Sequence, residues 1–179
     1  MTTIGTPVTL FQSILAGLMM SIEYPAGKIV LVLILAIALI VSYVAIVTLL
    51  AALLKGHTAR GRKAVATRPW MILVDGLIGW LAFGGLAGFL YSRGMVAAAI
   101  VMLVIPALVC LVGAPGLYTH IGERIGALGN KEVSSLRCVV AGCGTALLAV
   151  LFPGVGWFIV LPLLLMAEFG AGFQALLRR

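Results

Sequence analysis

Residues 138–177 read CVVAGCGTALLAVLFPGVGWFIVLPLLLMAEFGAGFQALL, and within them Glu168 is the one side chain that is ordinarily charged. The run is broken once, at Phe152-Pro153-Gly154-Val155-Gly156-Trp157, and Arg178 and Arg179 follow it directly. Apolar arms on both sides of a Pro-Gly break predict two helices folded into a hairpin, with Pro153, Gly154 and Gly156 as the turn. Water would leave such arms nothing to bury against, so their solvent is lipid. The first arm, at about fifteen residues, covers ~22 Å, short of the ~30 Å hydrocarbon core; the second, at about twenty, is sufficient although Pro162 bends it. Two arrangements fit: a complete double crossing, or a re-entrant pair. Trp157 suits the opposite headgroup region, which favours the crossing.

Working outward, composition agrees. The chain is 63% hydrophobic and 9% charged, against about 25% charged in a soluble domain. The net charge of +7 does not point to nucleic acid, because its positions are those of membrane flanks. Lys55, Arg60, Arg62, Lys63 and Arg68 crowd one connector, and Arg124, Lys131 and Arg137 another. Basic residues beside apolar spans mark the cytoplasmic side. Contact of the first cluster with anionic lipid or an acidic partner is the alternative use of the same charges. Cys110, Cys138 and Cys143 match no metal-ligand spacing and read as buried small hydrophobes.

The expected architecture is all-α: one integral membrane domain, 1–179, with about five transmembrane helices. Candidate spans are 29–54, 70–90, 95–117, 138–152 and 157–177. Segment 1–28 is expected at the interface, with a helix over 8–22 too short and too interrupted to cross. Span 29–54 has no charge, proline or glycine. The second span is glycine-rich, and Gly84 with Gly88 forms a G-x-x-x-G pair suited to close helix approach, in another copy or in the same chain. In the third, Pro106 predicts a kink and Gly113-Ala114-Pro115-Gly116 an irregular end. Connectors 55–69 and 118–137 are expected as cytoplasmic polar loops, with a turn of helix near Glu123 and a helix cap at Ser134 or Ser135.

Chemistry is sparse. Two carboxylates fall inside spans, Asp75 and Glu168, and an acid in mid-bilayer costs at least ~2.5–3.5 kcal/mol if charged. Counted from Arg68 and Arg178, both lie in the cytoplasmic half, at depths where they meet if their helices pack. That makes them candidates for a proton or cation relay; the competing reading is a structural hydrogen bond to a neighbouring helix. No arrangement of nucleophile and base, no phosphate loop and no metal or cofactor motif is present. The expectation is therefore a non-enzymatic integral subunit in a bacterial-type inner membrane, binding no cofactor. Its expected partners are membrane lipids, copies of itself or other membrane subunits. A small oligomeric channel or transporter using Asp75 and Glu168 is the alternative.

Overall fold

The computed structural model describes residues 25–129 and 134–177. Six α-helices follow in order: α1 (Pro25–Leu53), α2 (Lys55–Thr67), α3 (Pro69–Ser92), α4 (Val96–Leu128), α5 (Ser135–Val150) and α6 (Leu161–Leu177). A π-helical turn, Gly156–Val160, leads into α6. No strand occurs among the described residues. Four stretches are long and apolar enough to cross a membrane: Lys28–Leu53, Pro69–Ser92, Val96–Leu128 and Gly156–Leu177. The chain thus reads as an all-α integral membrane protein with four candidate spans. α5, at 16 residues, is shorter than a span requires. The expected interfacial helix over 8–22, and Lys131, Arg178 and Arg179, lie outside the described residues.

The chain divides into two compact units, 1–43 and 44–179. Of the first, the described part is the leading portion of α1, where the large aliphatic side chains stand exposed all along the helix, Ile29 at 70% and Leu39 at 64%. Such a surface is stable only in an apolar solvent or against a partner.

In the second unit α4 is the central element, and α2, α3, α5 and α6 all pack on it; α6 also packs on α2 and α3. Glycine approaches fix the directions. Gly76 lies against Met166 and Gly170 against Ile72, so α3 and α6 run antiparallel. Gly122 lies against Cys138 and Gly142 against Tyr118, so α5 runs antiparallel to α4. α6 crosses α4 where Gly113 meets Glu168 and Gly172 meets Val109. A Cβ at these positions would overlap the facing backbone, which is why glycine is needed there.

Three expectations about α2 and α4 are corrected. The expected loop 55–69 is a helix over Lys55–Thr67. Thr58, Gly61, Ala64 and Val65 form its buried face, at the i, i+3, i+7 spacing of an amphipathic helix. It ends because Pro69 forces Arg68 out of helical geometry, to φ −144° and ψ 63°; Pro69 then opens α3 as its first residue. The third span does not loosen at Gly113-Ala114-Pro115-Gly116. α4 runs through both Pro106 and Pro115 to Leu128, and residues 113 to 119 are all buried. Connector 118–137 is accordingly helical over its first half, the expected turn near Glu123 being a continuation of α4. Neighbouring helices packed close on these small residues hold the helix together where its sequence alone would not.

Candidate functional site

The polar groups inside the bundle gather toward one end, where α2 crosses α4 and α6. A Cβ at Gly61 of α2 would lie 3.6 Å from Gly116 Cα of α4 and 3.9 Å from the Ala175 Cβ of α6. Below this crossing the Tyr118 hydroxyl donates to Glu168 Oε1. Both side chains are buried, at 2% and 5% exposure. On the other side of α6, Gln174 Nε2 donates to Asp75 Oδ2 at 2.7 Å. Gln174 is buried and Asp75 half-buried, and the second amide atom, Gln174 Oε1, is buried with no hydrogen-bond partner.

Helices α3 and α6 do pack together, and they bring Asp75 and Glu168 into one bundle. Each acid has its own partner on another helix, Tyr118 from α4 for Glu168 and Gln174 from α6 for Asp75. Sequence reasoning did not find these partners. Gln174 was detectable, being six residues beyond Glu168 on the same helix, a rise of ~9 Å. Tyr118 was masked by its place at an expected span end, where tyrosine reads as an interfacial anchor.

Lys55, Arg60, Arg62 and Lys63 are exposed on α2, and Arg68, which caps its end, is exposed as well. Arg62 pairs with Glu123 of α4, so the two stretches expected as polar connectors meet at the same end of the bundle. Thr119 turns its hydroxyl back to the Pro115 carbonyl at 2.6 Å. Higher in the bundle, Leu165 O accepts from Trp80 Nε1 at 3.3 Å and from Cys110 Sγ at 3.7 Å. All three cysteines are buried. Among the described residues no group of three metal-ligating side chains comes together.

Gly84 and Gly88 lie elsewhere. A Cβ at either would meet nothing within 4 Å. With Ala87, Ala99, Ile100 and Leu103 they line a groove of about 390 Å³ between α3 and α4. Its floor, Ala87 and Ala99, is buried, at 4% and 5% exposure. Pro153 and Gly154 lie in a turn, where Gly154 takes φ +80°, whereas Gly156 already belongs to the π-helical stretch and is buried against the carbonyls of Ala149 and Val150.

The chain matches no model of a known protein family, no curated protein and no solved structure.

Proposed function

We propose that this chain is a non-enzymatic integral subunit that assembles with a second copy of itself in a bacterial-type inner membrane. The groove between α3 and α4 carries the proposal. Its centre is glycine and alanine, flanked by Tyr91, Val96, Ile100 and Leu103, and a Cβ at Gly84 or Gly88 would meet nothing within 4 Å. Small residues facing outward in a membrane helix let a partner helix approach closely, and G-x-x-x-G serves the same helix from a second copy symmetrically. The end that carries α2 is the cytoplasmic one by the positive-inside rule.

The test is the oligomeric state of purified protein in lipid nanodiscs, counted by single-molecule photobleaching. Gly84→Leu with Gly88→Leu fills the groove from within and is expected to convert dimers to monomers without loss of helix content. Dimers that persist unchanged in this variant sink the proposal, and so does a wild-type chain that is monomeric.

The second reading is proton or cation movement through Asp75 and Glu168, favoured by their presence on packed helices of one bundle. Asp75→Asn with Glu168→Gln separates the two. Loss of a measurable proton flux in liposomes with assembly intact favours transport; flux absent from the wild type, or unchanged in the variant, removes that reading.

A further inference from the structure

A second cavity, of about 540 Å³, opens where the end of α1, α2, α4 and the start of α5 converge, at Ala51, Lys55, Thr58, Arg62, Thr119 and Ser134. We propose that this cavity binds a phosphate group, presented by an anionic phospholipid headgroup or by free phosphate.

Several observations on α2, α4 and the start of α5 converge. Thr58 is buried, at 8% exposure, and its Oγ1 has no hydrogen-bond partner although it lies in the cavity wall. A buried hydroxyl without a partner is costly, and a ligand oxygen would satisfy it. Lys55 and Arg62 bring two cations to the same wall. Lys55 makes no ion pair among the described residues, while Arg62 keeps donors beyond the one given to Glu123. Ser134, the residue that opens α5, sits in the wall in extended geometry and makes no capping hydrogen bond. The Ser134 side chain thus does not cap the first N–H groups of α5, and a helix N-terminus favours an anion. Among the described residues no acidic side chain lines the cavity. Thr119 spends its proton on Pro115, so it contributes an acceptor and not a donor.

The cavity thus presents an ammonium, a guanidinium, hydroxyls and helix N–H groups with little to accept from them, which is the donor set of a phosphate site. Its apolar wall, Ala51, Ala52 and Leu136, continues from the last turns of α1, a span that ends there. A phosphate in this cavity would lie level with the end of a membrane helix.

The experiment uses the full chain in a zwitterionic detergent and follows its thermal midpoint against two probes, dioctanoyl phosphatidic acid and inorganic phosphate. A saturable rise is expected, with its half-saturating concentration about tenfold higher in Lys55→Ala and in the near-isosteric Thr58→Val. Lys63→Ala, on the same helix but outside the cavity, is expected to match the wild type. A response to phosphatidic acid alone assigns the site to a lipid headgroup; a response to both assigns it to the phosphate itself. No saturable shift with either probe overturns the proposal. A loss in Lys63→Ala equal to that in Lys55→Ala also overturns it, because the attraction would then be diffuse charge.

Discussion

At the residue scale, glycines divide sharply by what a methyl group would meet. At Gly113 it would enter the carbonyl of Glu168, whereas at Gly144 it would meet nothing within 4 Å. Gly113→Ala is expected to push α4 from α6 and destabilise by about 1–3 kcal/mol. Gly144→Ala is expected to be neutral or to stabilise by up to about 1 kcal/mol through helix propensity. Unfolding in mixed micelles reads both, and equal effects at the two sites would contradict the packing. Tyr118 and Glu168 give a second residue-level expectation. Tyr118→Phe removes a donor from a buried carboxyl and keeps the ring, so a loss of about 1–2 kcal/mol is expected, within the range measured for polar contacts between membrane helices. A neutral Tyr118→Phe would mean that the bond does not hold the bundle. Sequence located the acids because a carboxylate inside an apolar run is conspicuous. It did not separate Gly113 from Gly144, because that distinction lies entirely in which helix stands opposite.

At the scale of the element, α2 shows how charge hides a helix. Its charged residues and two glycines read as a flexible connector, yet Thr58, Gly61, Ala64 and Val65 bury one face against α4 and α6. The face was present in the spacing but built from residues too small to register as hydrophobic periodicity. Span positions, by contrast, were legible from apolar run length alone, because the bilayer sets that length. Packing, and not the surface ion pair, should hold α2 down. Arg62 and Glu123 are exposed at 47% and 39%, so Arg62→Ala is expected to cost less than about 1 kcal/mol. Gly61→Leu, which cannot fit at contacts of 3.6–3.9 Å, is expected to release the helix while Gly61→Ala leaves it docked. Trypsin reports the difference through Arg60, Arg62 and Lys63. Slow cleavage of the wild type and fast cleavage of Gly61→Leu are expected; rapid cleavage of the wild type would show that α2 is not docked at all.

At the scale of the whole molecule, the open matter in the sequence was whether the closing hairpin crosses the membrane completely, and the contacts along α4 bear on it. Gly142 of α5 lies against Tyr118, whereas the Glu168 backbone of α6 lies against Gly113, five residues further up α4. Val150 is eight residues up α5 from Gly142, ~12 Å, against twenty-two residues, ~33 Å, from Tyr118 to Val96 on α4; Gly156 is twelve residues up α6 from Glu168, ~18 Å, against seventeen residues, ~26 Å, from Gly113 to Val96. The hairpin turn therefore stops well short of the α3–α4 turn at Arg93 and Gly94. This argues for the re-entrant arrangement, against which stand Trp157 and the length of Gly156–Leu177, one of the four stretches long enough to cross. Gly156 packs on the carbonyls of Ala149 and Val150, while residues 151–155 of the turn stand exposed. The expected result follows for single cysteines placed at Arg93 and at Val155, both exposed on the protein surface, after Cys110, Cys138 and Cys143 are replaced by alanine. A membrane-impermeant maleimide should label Arg93→Cys readily from the side opposite α2 and label Val155→Cys slowly from either side. Detergent should equalise the two rates, which excludes a fold defect as the cause. Labelling of Val155→Cys from the Arg93 side, at the Arg93 rate and in intact vesicles, would instead place the turn in the far headgroups and make the hairpin two complete spans.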